Sequence, residues 1–281
     1  MALLSILSAL SAFPLIHAHM QMGNPSPFRD PHATNRPNEP KDYNILKPLK
    51  ADGSDFSCKG YQWNTPWTTV ATYEPGKTYQ TELSGSATHG GGSCQLSFSF
   101  DGGINFKVIK SIEGGCPIAK QYNFTVPLEL GKGLGNKRTT GLFAWTWYRD
   151  IGSEESSQLD ARGVTTTNAA AQSALASYPN LFVANLASIN DCVTKETTDV
   201  VFDNPGRSVD FGDEESGSAA PSFKKGECTG KGSKSAGSST SSSSSAPPSS
   251  PQGSSSSGSS GQWQSSGQSS TSSGCNLGDG L

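Results

Sequence analysis

After its first 16 residues this 281-residue chain has no apolar run long enough to cross a bilayer. The opening run is itself shorter than the ~20 residues a spanning helix needs. A membrane-embedded protein is therefore not expected. With a formal net charge of -3 there is no basic field to attract nucleic acid or an anionic membrane surface. The six cysteines include no Cys-x-x-Cys pair, which argues against a zinc site. No apolar stretch closes the chain, so a glycosylphosphatidylinositol anchor is not expected either. Histidine is scarce, at four residues, and that scarcity makes the position of each one informative.

What is present begins with a leader. Residues 2 to 16 are almost all apolar or small and carry no acidic side chain, and Ala18 offers the small residue a signal peptidase prefers. Cleavage is expected before His19, giving a secreted mature chain. Cysteines in that compartment are expected to form disulfides, although six cysteines allow 15 pairings and spacing does not choose among them. Asn123-Phe124-Thr125 is a usable N-glycosylation sequon, whereas Asn64-Thr65 is spoiled by Pro66.

Composition divides the chain into residues 1–18 as leader, 19–228 as a folded domain and 229–281 as a tail. The tail is serine, glycine, glutamine and proline with Trp263 its only large apolar side chain, so it cannot bury enough surface to offset its ordering entropy. It reads as a disordered, O-glycosylated extension and a route to cell-wall association. The domain, roughly 210 residues, is long enough for one core. Apolar residues alternate with period two in Tyr79 to Leu83, Leu96 to Phe100 and Tyr122 to Val126. Phe106 to Ile112, Leu142 to Tyr148, Leu181 to Ala184 and Val200 to Phe202 are further strand candidates. Short strands separated by turn residues predict an all-β, antiparallel immunoglobulin- or fibronectin-like sandwich with long loops. Only Asn168 to Ser177 reads as a short helix or loop.

The domain keeps three histidines. His32 lies in the proline-flanked loop Asp30-Pro31-His32-Ala33-Thr34 and reads as a surface residue. His89 lies between two strand candidates, in Thr88-His89-Gly90-Gly91-Gly92-Ser93-Cys94, where three glycines permit unusual backbone angles and Cys94 can pin the loop. His19, once terminal, would offer a metal both its amine and its ring. With the ring of His89 that makes three nitrogens, a set that suits Cu(II) and can still hold Cu(I) between two imidazoles. Zinc would normally seek a fourth ligand in a tetrahedral site. Copper is the expected cofactor, with His19 and His89 as its ligands.

Several segments together resemble the fungal lytic polysaccharide monooxygenases of auxiliary activity family eleven. They are His19-Met20-Gln21-Met22, Pro25-Ser26-Pro27-Phe28, Ala51 to Cys58, the Gly85 to Gln95 loop, Ser111-Ile112-Glu113-Gly114-Gly115-Cys116-Pro117, Ala144-Trp145-Thr146-Trp147 with Ile151-Gly152, and Leu181 to Asn185. They occur in the family's order and span residues 19 to about 206. The resemblance implies a copper histidine brace on a flat face of an immunoglobulin-like sandwich. It also implies chitin or a related crystalline polysaccharide as substrate, an external electron donor, and O2 or H2O2 as co-substrate. The implied chemistry is hydrogen abstraction from a sugar carbon at the glycosidic bond, followed by chain cleavage.

The chain departs from that pattern after Gly152. The family's Glu-Met-Tyr and Asn-Cys-Ala align without gaps to Glu155-Ser156-Ser157 and Leu159-Asp160-Ala161. Glu155 keeps the glutamate, which can orient an oxygen species by hydrogen bonding or belong to a solvated acidic loop. Ser157 replaces the axial tyrosine, and Asp160 replaces a cysteine whose partner is then left reduced or re-paired, with Cys228 one candidate. Tyr148 is better read as a strand residue than as a substitute axial ligand, and Trp145 and Trp147 as core residues on one face. Two alternatives to the enzyme follow: a non-catalytic copper-binding or wall-associated protein that retains the brace, and a glycan-binding module without metal.

Overall fold

Alternation of apolar and polar residues shapes the central strand, Gly92–Ser99 (β3): Cys94, Leu96 and Phe98 point to one side of its sheet and Ser93, Gln95, Ser97 and Ser99 to the other. The computed structural model describes residues 19–134, 138–149, 157–163, 168–195, 198–212, 218–219 and 228–231. The leader, Glu155, Trp263 and Cys275 lie outside the described residues. Contacts divide the chain into Met1–Ser239 and Thr240–Leu281, and the second unit falls wholly outside them.

The other strands are Met20–Asn24 (β1), Thr78–Gly85 (β2), Lys107–Glu113 (β4), Gln121–Thr125 (β5), Leu142–Arg149 (β6), Ser157–Gly163 (β7), Asp199–Val200 (β8), Val209–Phe211 (β9) and Ser218–Ala219 (β10). They form a three-stranded sheet in the order β1-β2-β5, a five-stranded sheet in the order β7-β6-β3-β4-β9, and a small β10-β8 pair. Pairing is antiparallel except at β4 with β9 and β10 with β8. The mainly β sandwich expected from the sequence is what forms.

Its main core fills the space between the two larger sheets. Met20 and Met22 of β1, Leu83 of β2 and Phe124 of β5 meet Leu96 and Phe98 of β3 and Phe143, Trp145 and Trp147 of β6. Burying a Leu, Met or Phe side chain is worth about 1.5–3 kcal/mol. Trp145 and Trp147 stack at 6.1 Å and are almost wholly buried, as their alternation in the sequence suggests. Tyr148 points to the opposite face and joins Phe182 and Phe202 in a separate cluster.

The polar side of β3 does not face water. Residues from about 181 to 202 cover it, and most of its polar side chains find partners in that cover or beside it. Ser93 Oγ donates to the Val200 carbonyl at 2.7 Å. Gln95 accepts from the Phe182 amide at 2.9 Å and donates to Ser111 Oγ at 3.0 Å. This explains why Leu181 to Ala184, apolar enough to read as a strand, is not one. Its amides donate to the Phe106 carbonyl, the Gln95 side chain and the Cys228 carbonyl in turn, so no single neighbouring strand supplies a ladder. The same disposition lets Tyr148 donate its hydroxyl to the Phe182 carbonyl.

Helix is scarce. Tyr61–Asn64 (α1), Leu128–Leu134 (α2) and Ala169–Ala174 (α3) are all short, and α3 falls inside the predicted helical window. Asn168 caps α3 by accepting from the Ala171 amide at 3.0 Å. The α2 segment was not expected, because Gly131 and Gly133 lower its helix propensity; it forms where the chain packs on α3. Among the described residues no helix is long and apolar enough to cross a membrane. Among the described residues two disulfides are formed, Cys94–Cys116 and Cys192–Cys228, while Cys58 is buried and belongs to neither. Asn123 of the sequon is exposed on β5.

Candidate metal centre

Strand direction brings two distant histidines to one end of the sandwich. β1 starts there, directly after His19; β2 ends there at Gly85; β3 starts there, directly after the loop that carries His89. The His19 and His89 rings lie with centroids 4.9 Å apart and planes tilted by 46°. Both residues are half-buried.

Local backbone constraints hold each ring. Met20 pairs with Gly85 at the head of the β1–β2 ladder. A Cβ on Gly85 would sit 2.2 Å from the His19 carbonyl oxygen, and Gly85 has φ +133°, so only glycine allows this approach. His89 has φ 50°, a left-handed value uncommon for a residue with a side chain, and the Gly91 amide closes its turn by donating to the Thr88 carbonyl at 2.9 Å. The Cys94–Cys116 bridge and a 3.0 Å hydrogen bond from the Cys116 amide to the Gly92 carbonyl fasten this loop to the next one, Gly114 to Lys120.

Trp147 forms the inner wall. Its ring centroid is 5.8 Å from that of His89, and its indole N–H donates to the Gly91 carbonyl at 3.0 Å. Lys120 reaches across from the far loop and donates to the Gly85 carbonyl at 3.1 Å. Next to this loop Glu113 accepts from the Phe202 amide at 2.9 Å, and partial burial nevertheless raises its carboxyl above the ordinary value.

The donor chemistry fits copper. Two imidazoles close enough to share one ion are soft-to-borderline nitrogen ligands, and among the described residues no third His, Cys, Asp or Glu joins them to complete a larger metal cluster. His32 is exposed in its own loop, with its amide donating to Asp30, as expected of a surface residue. Glu155 cannot be placed, since it lies outside the described residues. In the β6–β7 ladder Ser157 stands opposite Tyr148, Gln158 opposite Trp147 and Asp160 opposite Trp145. The structure brings together the two histidines that the sequence singled out, and around them it places Gly85, Trp147 and Lys120, to which the sequence assigned no part in the site. The alternation of the Ala144 to Trp147 segment marked Trp147 as a core residue; nothing in that pattern said that one edge of the core would support the site.

A sandwich that sets a histidine pair at one end defines a copper-site class of β protein. Comparisons with known proteins give the family. The chain is 46% identical over 206 residues to AA11 family lytic polysaccharide monooxygenase A of Aspergillus fumigatus, a match that covers 72% of this chain and 89% of that protein. It is 32% identical over 252 residues to an AA11 family lytic polysaccharide monooxygenase of Aspergillus oryzae, and 34% identical over 229 residues to lytic polysaccharide monooxygenase B of A. fumigatus. Those two matches cover 79% and 70% of this chain but only 54% and 50% of the longer relatives. No family model matches. A solved Bacillus amyloliquefaciens CBM33 in complex with Cu(I) aligns with a TM-score of 0.32 and 11% identity over 52% of this chain and 99% of that one, too distant to carry weight.

The chain belongs to the AA11 family of lytic polysaccharide monooxygenases. It is accordingly a copper-dependent monooxygenase that cleaves polysaccharide oxidatively, using an external reductant with O2 or H2O2.

Proposed function

We propose that His19 and His89 are the copper ligands, that His19 contributes its free amine as well as its ring after removal of residues 1–18, and that the secreted enzyme acts on chitin. The observation that carries this reading is the 4.9 Å approach of the two rings, made by residues 70 positions apart in a chain with four histidines. Chitin is the substrate implied by the family-like segments of the sequence.

Copper bound there supplies the one-electron chemistry that activates O2 or H2O2 for hydrogen abstraction at a sugar carbon. The residues of the chain hold that chemistry in place. His19 is fixed by the β1–β2 ladder and by the close passage of Gly85, so its ring moves little relative to His89. Trp147 fills the space behind His89 and keeps water from its inner side, while its N–H holds the Gly91 carbonyl and so the His89 turn. Glu155 is assigned a hydrogen-bonding role toward the oxygen species.

The test compares a chain starting at His19 with one that retains Ala18. Isothermal titration should show one tightly bound Cu(II) in the first and at least tenfold weaker binding in the second, because retaining Ala18 moves the free amine away from the position in which it completes the set with the two rings. The first chain, supplied with a reductant, should release oxidised chito-oligosaccharides. Equal copper affinity in both chains would overturn the assignment of the amine, and oxidised products from cellulose alone would overturn chitin.

A further inference from the structure

Polar side chains stand in cross-strand rows on the outer face of the three-stranded sheet, where β2 and β5 pair. Thr78 is opposite Thr125, Gln80 opposite Asn123 and Glu82 opposite Gln121, and all of these residues are exposed. Tyr122 and Phe124 turn inward to the core instead, because successive side chains of a strand point to opposite faces. Asn123 and Thr125 therefore point outward together, while Phe124, the middle residue of the sequon, points in.

The hydrogen bonds of Asn123 leave one of its atoms open. Gln80 Nε2 donates to Asn123 Oδ1 at 3.3 Å, which holds the carbonyl end of the amide against the neighbouring strand. Among the described residues nothing accepts from Asn123 Nδ2. An N-linked sugar is carried on that nitrogen and leaves the oxygen an acceptor, so the bond to Gln80 survives the modification. Thr125 is engaged differently, with its Oγ1 2.9 Å from Thr78 Oγ1. Once β5 has paired with β2, the sequon cannot be drawn into a transferase, so transfer belongs to the emerging chain.

We propose that Asn123 is an N-glycosylation site whose glycan is rooted on the outer face of β2 and β5 and shields β5 as an edge strand. The proposal rests on the reading of the chain as secreted, since the transferase works in the secretory lumen. Asn123 Nδ2 attacks the anomeric carbon of an N-acetylglucosamine carried on a polyprenyl diphosphate. The carbon–nitrogen bond forms, the carbon–oxygen bond to the diphosphate breaks, Nδ2 loses one proton, and the lipid diphosphate departs with the bonding pair.

The position of Asn123 decides what the glycan covers. Its partner Gln80 lies five positions before Gly85, which at ~3.4 Å per residue sets Asn123 about 17 Å back from the histidine end. Side chains stand roughly perpendicular to a sheet, so the glycan leaves from the flank and does not cover His19 and His89. β5 is the last strand of its sheet, and among the described residues no strand pairs with its other side. The unpaired amides and carbonyls of such an edge invite pairing with another chain, and a bulky hydrated group at the middle of a five-residue strand obstructs that approach.

The test expresses the full chain, leader included, in a eukaryotic secretion host as wild type, Asn123→Gln, Thr125→Ala and Thr125→Ser. Peptide N-glycosidase F is expected to remove one oligosaccharide from the secreted wild type and to leave aspartate at position 123 in the peptide map. That enzyme does not release serine- or threonine-linked sugars, so the tail adds nothing to the shift. Asn123→Gln and Thr125→Ala should lose the shift and Thr125→Ser should keep it. Cu(II) titrations before and after deglycosylation should agree, while the deglycosylated protein aggregates faster on heating. A secreted wild type with Asn123 unmodified would overturn the site. Equal aggregation would overturn the shielding of β5, and an altered copper affinity would overturn the placement on the flank. A wild type retained in the cytosol would overturn the secretion reading and the site together, and its compartment distinguishes that failure from the others.

Discussion

The His19 carbonyl passes so close to Gly85 that a methyl group there would lie 2.2 Å from the oxygen. Gly85→Ala must therefore push the first strand away or unpair its head, and φ +133° adds backbone strain. Copper affinity is expected to fall at least tenfold, with far-ultraviolet circular dichroism preserved. A titration indistinguishable from the wild type would show that the ring of His19 does not depend on this approach.

Trp147→Phe retains an aromatic wall but removes the N–H that satisfies the Gly91 carbonyl. Loss of one partner of a buried hydrogen bond costs about 1–3 kcal/mol. Urea unfolding should report that loss, and the EPR spectrum of bound Cu(II) should broaden as the His89 turn loosens.

The Cys94–Cys116 bridge closes 22 residues and joins the His89 loop to its neighbour. Replacing both cysteines with serine is expected to lower stability by about 3 kcal/mol, chiefly by releasing the unfolded chain. Copper affinity should fall in parallel, which a titration of the folded variant at low temperature would measure.

Sequence alignment puts Ser157 where the family has an axial tyrosine, and the ladder pairs Ser157 with Tyr148. Tyrosine at Ser157 is expected to alter the copper EPR spectrum, and an unaltered spectrum would overturn that alignment.

Burial raises the Glu113 carboxyl, so the folded chain holds that proton more firmly than the unfolded one. Its contribution to stability is present below the ordinary glutamate range and is lost as pH rises through the raised value. Glu113→Gln keeps an acceptor for the Phe202 amide and removes the titration. The Tm of the wild type should fall relative to Glu113→Gln as pH rises above about 4.3.

The two histidines were legible because each sits in an unusual local setting, one behind a leader and one before three glycines. Strands β2, β3 and β5 were legible from period-two alternation, and β4 and β6 as apolar segments between turn residues. The extent of the cover over β3 was not, because Ser93, Gln95, Ser97 and Ser99 have the chemistry of a solvated face, and the partners that meet Ser93 and Gln95 lie 16 to 107 residues away. Leu181 to Ala184 misled for the complementary reason: its side chains are apolar enough for a strand, but its hydrogen bonds are dispersed. Strand β9 is three residues long and too short for any pattern to mark it. Tyr148 and the two tryptophans were read correctly because their alternation already sorts them to opposite faces.

The β1–β2 pairing also bears on the fate of the mature chain proposed above, which would begin at His19. An exopeptidase must draw several residues of an extended terminus into its own cleft before it can cut. From Met20 onward that proposed terminus would already be engaged in register with Gly85, Ser84 and Leu83. Trimming would require the strand to unzip first, so the same ladder that aims His19 would also shield it from degradation.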